Sequence, residues 1–175
     1  MRSKKSIGEG SVGVGGAVYD KVVGYLTENQ EKFYRLAYSY AHNKQDALDI
    51  VQSAIVTALE KYPSIRRPEY IRTWFYRVLV NRCLSHLASR RGEVLDGGEE
   101  FREIPAPDGP DPGDDLYQVI DRLPVEMKTA IILRFYEDMT LKDIARITDT
   151  NLSTAKYRLY AGLDRLKQIL KEDDL

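Results

Sequence analysis

Apolar residues recur at three- and four-residue intervals along most of this chain, the period of helices and not of strands. From about Tyr19 to Arg91 the pattern is helical throughout. Phe33, Leu36, Ala37 and Tyr40 share one face. The next helix is clearer: Ala47, Ile50, Val51, Ala54, Ile55, Ala58 and Leu59 form a stripe, with Asp46, Asp49, Gln52 and Ser53 on the other side. Pro63 and Pro68 bracket a basic loop, Ser64-Ile-Arg-Arg67. A third helix is predicted to turn Ile71, Trp74, Phe75, Val78 and Leu79 inward, with Arg72, Arg77, Asn81 and Arg82 around it. On that stripe Trp74 and Phe75 read as core residues; Tyr70 suits either packing or base stacking.

The pattern then stops. Residues 93–113 hold Pro105, Pro107, Pro110 and Pro112, many acids and few apolar groups, as an extended linker does. Helical spacing resumes with Leu116, Val119, Ile120 and Leu123, breaks at Pro124, and continues through Met127, Ala130, Ile131 and Leu133 to Phe135. Two short helical patterns follow, joined by a polar turn. One carries Leu141, Ile144, Ala145 and Ile147; the other carries Ala155, Leu159, Leu163 and Leu166. Thr140 with Asp143 fits a helix N-cap pattern. Such a pair can fold as a helix-turn-helix, whose second helix enters the DNA major groove.

The predicted fold is therefore all-α: two small helical domains, 18–92 and 114–175, joined by an acidic, Pro-rich linker at 93–113. A Gly-, Ser- and Lys-rich tail, expected to be disordered, covers 1–17. That tail contains Gly8-Glu-Gly10-Ser-Val-Gly13, a literal match to the dinucleotide fingerprint, but no strand precedes it and no βαβ unit surrounds it.

Charge changes the picture more than composition does. The net charge of −1 excludes a uniformly basic DNA-coating protein. Yet Lys61 to Arg91 holds eight Lys or Arg against Glu69, whereas Glu93 to Asp115 holds nine acids against Arg102. The opposed blocks conceal a local basic surface. The single cysteine, Cys83, excludes an internal disulfide and a Cys-based zinc cluster, and its helical context suits a packed thiol. No apolar run approaches the roughly 20 residues of a membrane span, and no apolar core follows the charged start, so the expectation is a soluble, cytoplasmic protein. His42 and His86 lack metal-ligand spacing, and no P-loop or nucleophile elbow appears. Neither catalysis nor a cofactor is expected.

The candidate chemistry is nucleic-acid binding. The second helix of the pair offers Lys156, Tyr157, Arg158 and Tyr160 to phosphates, base edges and thymine methyls. Ser153 and Thr154 at its start can bond phosphate through hydroxyl and backbone N–H. Arg158 has a second option, bracing the domain through a salt bridge.

In this order and spacing the chain resembles the small bacterial sigma factors of the extracytoplasmic-function type, over roughly residues 25 to 170. Three motifs carry the resemblance: Asp46-Ala-Leu-Asp-Ile-Val-Gln52, the helix Ile71 to Leu84 with Arg-Thr-Trp-Phe-Tyr-Arg-Val-Leu-Val-Asn-Arg-Cys inside it, and Leu123-Pro through Ala145 with Thr154-Ala-Lys-Tyr-Arg-Leu159. It implies a sigma-2-like domain and a sigma-4-like helix-turn-helix domain. By resemblance, Asp46, Asp49 and Gln52 dock on the clamp helices of core RNA polymerase, and the sigma-4-like domain meets its flap. Arg66, Arg67, Tyr70, Arg72, Arg77 and Asn81 serve the −10 element, where a displaced strand needs a basic groove and edge hydrogen bonds. Thr140, Ser153, Thr154, Lys156, Tyr157, Arg158 and Tyr160 serve the −35 element. The acidic linker is expected to thread toward the polymerase cleft, and an anti-sigma factor to hold the protein inactive. The chain departs from the family pattern at Ser53, Ser85, Ala161 and the turn Thr148-Asp-Thr150, where the family often has Gly. The alternative reading is a stand-alone helix-turn-helix repressor or activator, which needs a dimer surface or effector pocket in residues 19–91.

Overall fold

The computed structural model describes residues 14–96 and 115–174. Most of the expected tail, including Gly8–Gly13, and nearly all of the expected linker lie outside the described residues. Among the described residues eight α-helices run in order: α1 (Val14–Glu28), α2 (Gln30–Ala41), α3 (Lys44–Lys61), α4 (Ile71–Asp96), α5 (Asp115–Ile120), α6 (Val125–Ile131), α7 (Leu141–Ile147) and α8 (Leu152–Asp173). There is no strand among the described residues. Short 3-10 turns at Tyr62–Ser64 and Pro68–Tyr70, each with proline at its start, carry the loop between α3 and α4.

The helix boundaries follow local chemistry. Asn43 starts α3 by accepting the Asp46 N–H at 2.8 Å, and Asn151 starts α8 by accepting the Thr154 N–H at 2.8 Å. Thr140 and Asp143 form a reciprocal capping box at α7. Helix α7 ends at Ile147 with Thr148 as its C-cap, and Asp149 follows with a left-handed φ of 54°. The Thr150 N–H then reaches back to the Ala145 carbonyl at 2.9 Å, and the Asp149 N–H to that of Arg146 at 3.4 Å. This is a Schellman closure, and aspartate tolerates the left-handed position that glycine usually takes. The absence of glycine from Thr148–Thr150 therefore leaves the turn intact.

The first unit packs α1 to α4 around an aromatic centre. Phe33 and Phe75 lie 4.5 Å apart between ring centroids, with Tyr25 and Tyr76 each 5.7 Å from Phe33. Tilted and edge-on contacts of this kind add to the burial of the rings themselves. Helix α4 buries more than one stripe: besides Ile71, Phe75 and Leu79, it buries Tyr76, Val80 and Cys83. The buried Cys83 thiol has its pKa pushed up to about 12 by desolvation, which keeps it protonated and unreactive.

The second unit packs α5 to α8 around Ile120, Leu123, Ile131, Leu133, Ile144, Ile147, Ala155 and Leu159, all buried. Gly162 lets α8 approach α6 closely: a Cβ there would stand 3.0 Å from Ile131 Cδ1 and 3.1 Å from Met127 Cβ. Phe135 departs from the predicted apolar face and is 60% exposed. The cause is a π-turn at Ile132–Tyr136, in which the Glu137 N–H bonds the Ile132 carbonyl. One extra residue per turn rotates the following side chains off the α-helical face. Leu59 and Leu116, also expected inward, sit partly exposed at the margins.

The two units pack on each other, and their buried residues form one continuous cluster. Helix α4 meets α7 across the seam. Polar bonds also cross it. Lys128 Nζ donates to the Ser39 carbonyl at 2.8 Å, Tyr40 and Thr129 share a hydroxyl contact, and Tyr76 donates to the Glu137 carboxylate.

Candidate nucleic-acid and polymerase interfaces

Helix α8 divides into two faces. Ala155, Leu159 and Gly162 point into the second unit, while Ser153, Lys156, Tyr157 and Tyr160 share the opposite, exposed face. Tyr157 is 68% exposed, a large ring held in water next to a lysine. Arg158 is half-buried and forms no salt bridge among the described residues. Thr154 spends its N–H on the Asn151 cap, which leaves its hydroxyl for other partners. The Thr140 hydroxyl is exposed but already donates to Asp143 at 2.8 Å, so its first role is to start α7. The result is a helix end with cationic, hydroxyl and aromatic groups converging on one face, the composition that major-groove binding uses.

The second surface lies at the start of α4. Arg66, Arg67 and Tyr70 are exposed on the loop, and Arg72, Arg77 and Asn81 are exposed on the helix. Arg67 pairs with Glu69 at 3.5 Å. Arg77 and Asn81 line an open cleft between α3 and α4, together with Thr57, Lys61, Trp74 and Arg82. Pattern alone placed Trp74 in the core; its ring is half-buried, packing on the core while it borders the cleft. Lys61 is a further member that the sequence reading left out, and Arg82, expected on the outer face of α4, joins it. Arg82 donates to the Thr57 hydroxyl at 2.8 Å and so braces the cleft wall. Their signal lay in the basic run from Lys61 to Arg91. Arg77 is not free: its guanidinium lies 3.7 Å from Asp149 in the turn of the second unit.

The third surface lies on α3. Asp49 and Gln52 face outward, and Gln45 donates to Asp49 at 3.1 Å. Asp46 is drawn inward. It accepts from Asn43 at 2.7 Å and pairs with Arg90 at 3.2 Å and His86 at 3.3 Å. Leu48 and Val56 are exposed beside Asp49 and Gln52, an apolar complement that charge-based reading missed.

Among the described residues no cluster of His, Cys, Asp or Glu is arranged to hold a metal ion, and no helix is long and apolar enough to cross a membrane.

Comparison with known proteins places two family models on the chain: Sigma-70 region 2 on residues 26–93, and Sigma-70 region 4 on residues 113–166. The chain is 42% identical to the RNA polymerase sigma factor SigV of Bacillus subtilis, over 85% of this chain and 90% of that protein. It is 27% identical to the ECF RNA polymerase sigma factor SigE of Mycolicibacterium smegmatis, over 83% of this chain and 60% of that protein. Among solved structures, the sigma factor RpoE in complex with the anti-sigma factor NepR from Bartonella quintana matches with a TM-score of 0.70 at 25% identity, covering 85% of this chain and 95% of that one. CnrH in complex with the cytosolic domain of CnrY shares the fold, with a TM-score of 0.66 at 14% identity over 91% and 96% of the two chains.

Proposed function

The chain belongs to the sigma-70 family as an extracytoplasmic-function sigma factor, a promoter-specificity subunit of RNA polymerase, and from that premise we propose how its residues divide the work. The first unit, 18–92, docks on core polymerase through Asp49 and Gln52, with Asp46 holding the start of α3 in place. Leu48 and Val56 supply apolar contact beside the charges. The cleft of Arg77 and Asn81, with Arg66, Arg67, Tyr70 and Arg72 around it, receives the −10 strand. Asn81 both donates and accepts, as reading a base edge requires. The second unit, 114–175, reads the −35 element: Lys156 and Arg158 contact phosphate or guanine, Tyr157 and Tyr160 cover thymine methyls and sugars, and Ser153 and Thr154 hold phosphate at the helix start. Thr140 anchors the first helix of the pair beside the backbone.

The observation that carries this reading is the exposed Ser153–Lys156–Tyr157–Tyr160 face in the same chain as a separate basic cleft. Two unlike DNA surfaces suit a factor that meets both duplex and opened strand. The polymerase supplies the chemistry; this chain supplies recognition, acts in the cytoplasm and uses no cofactor. An anti-sigma factor covering these surfaces is supported by the structural match to RpoE, which was solved with NepR.

The test is co-purification with core RNA polymerase, wild type against Asp49→Arg. Stoichiometric binding that the charge reversal weakens at least tenfold is expected. Absence of wild-type binding, with dimeric binding to duplex DNA alone, would sink the proposal in favour of a stand-alone repressor or activator.

A further inference from the structure

The cleft between α3 and α4 carries Lys61 on one wall and Arg77 and Arg82 on the other, and no carboxylate lines it among the described residues. The three cations are held in different ways. Arg77 lies 3.7 Å from Asp149. Lys61 and Arg82 form no salt bridge among the described residues. Arg82 is anchored instead by a neutral group, its guanidinium donating to the Thr57 hydroxyl at 2.8 Å. Arg67, Arg90, Arg122 and Arg134, by contrast, are each held by a carboxylate. A carboxylate offsets the charge that it orients. A hydroxyl orients the guanidinium through one of its five N–H donors and leaves the charge, and the other donors, for an anion.

Thr57 suits this task by its own setting. It is 8% exposed on α3, so the anchor is part of a packed wall. Its hydroxyl donates to the Ser53 carbonyl at 3.0 Å, one turn back in the helix. That bond uses the only proton of the group and leaves its lone pairs to accept from Arg82. The β-branched side chain also has few rotamers to choose among. Asn81 lines the same cleft one residue before Arg82, and Ser85 lines it one turn further on. An amide able to read a base edge and an anchored cation thus stand side by side, as the base and the backbone of one nucleotide do.

We propose that this cleft seats a backbone phosphate of the displaced −10 strand on Arg82, with Lys61 as the second cation, and that Thr57 is a positioning residue that holds Arg82 in place. The proposal rests on the assignment of Arg77 and Asn81 to the −10 strand made above. It adds the ligand class, a phosphodiester of single-stranded DNA. Such a contact is indifferent to base identity and fixes the path of the strand, so that Asn81 meets its base in register.

The test titrates purified holoenzyme, reconstituted from core polymerase and the full chain, against a fluorescein-labelled fork DNA. The fork is a duplex with a single-stranded overhang of about ten randomised bases, and anisotropy is read across a salt series. Randomised overhangs suit a backbone contact, whose loss weakens all sequences alike. Arg82→Gln is expected to lower affinity about tenfold and to reduce the salt slope by about 0.7, the scale of one phosphate contact on a single strand. Thr57→Val, which keeps the side-chain shape and loses the hydroxyl, is expected to lower affinity about fivefold, and Thr57→Ser to restore it. In the Arg82→Gln background Thr57→Val is expected to add nothing, because the hydroxyl acts through the guanidinium. Additive losses, or no rescue by serine, would overturn the positioning role. Unchanged affinity and slope in Arg82→Gln, with Arg77→Ala still weakening the fork, would overturn the phosphate seat alone. If Arg77→Ala and Asn81→Ala are silent as well, the −10 assignment falls and the seat with it. Equal losses on a blunt duplex of the same length would overturn the choice of a single strand as the ligand.

Discussion

Helices α4 and α8 carry similar residues in opposite circumstances. Both are long, and both present arginine, lysine or tyrosine to the outside. Helix α4 is packed by α2 and α3 on one side and α7 on another, and much of its charge is engaged within the molecule. Arg77 pairs with Asp149 at 3.7 Å, Arg82 donates to Thr57 at 2.8 Å, and Arg90 pairs with Asp46 at 3.2 Å. Helix α8 packs on α6 and α7 along one face, and Lys156, Tyr157 and Tyr160 face water on the other. The same side chains are thus committed in one helix and free in the other. In this arrangement the proposed −35 surface on α8 faces water, and the proposed −10 surface on α4 is partly engaged by the protein itself.

The largest effect expected from breaking this comparison comes from the core that holds α4. Phe75→Ala removes a fully buried ring 4.5 Å from Phe33 and is expected to cost about 3–5 kcal/mol. The sole tryptophan, Trp74, lies on α4 and reports the first unit, while far-UV circular dichroism reports both. If the seam couples the units, the two signals fall together in urea for wild type. In Phe75→Ala the tryptophan signal is expected to fall first, leaving a residual helical signal from α8. Coincident loss in the variant would mean that α8 has no stability apart from α4, and the contrast between the helices would be one of exposure only.

A smaller effect separates the two proposed DNA surfaces. Lys156→Ala is expected to weaken binding to a −35 duplex about tenfold and to reduce the salt slope by about 1. Arg77→Ala should leave that same binding nearly unchanged, because Arg77 is turned toward Asp149 and lies outside the helix-turn-helix. Equal losses from both substitutions, measured by fluorescence anisotropy across a salt series, would erase the distinction drawn between α4 and α8.

Much of this was legible in the residues. The stripe Phe33, Leu36, Ala37 and Tyr40 is buried throughout, and the cap signalled by Thr140 and Asp143 forms in full. These are local relations, set by helix period and by side chains three residues apart, so one sequence contains them. The seam was not legible. Nothing in the sequence marks Lys128 or Tyr76 as a buried polar group, because the groups that satisfy them lie far away in the chain. A faint signal existed in α4, where Tyr76, Val80 and Cys83 widen the apolar face beyond what one neighbouring layer covers. Phe135 misled for a different reason: the π-turn that exposes it changes the helical period locally, so a fixed period carried through Ile132–Tyr136 puts Phe135 on the wrong side. At the candidate sites, residue type was a good guide to surface position and a poor one to commitment. Asp46 and Arg77 both look like free charges in sequence, and both are paired.

The smallest effect tests whether the seam responds to acid. His42 ends α2 in a left-handed conformation and faces Asp121 across the rim at 3.4 Å. Burial holds its pKa below the ordinary 6.5, Asp121 partly offsets this, and Lys128 and Arg90 add to the lowering. The closed chain therefore binds fewer protons at His42 than an open chain does, and acidification from neutral pH through 6.5 favours opening. Asp121 acts in the opposite sense. Burial raises its pKa above the ordinary 3.8, against the pull of Lys128 and His42, so its own proton uptake favours closure in a more acidic window. With the His42 side chain 42% exposed, solvent screening limits the effect, and a rise in open fraction of about threefold or less is expected between pH 7.5 and 5.5. His42→Asn, which tolerates the left-handed backbone, should flatten that profile in small-angle scattering. A wild-type profile that is already flat would show that the seam excludes too little water at its rim for His42 to sense closure.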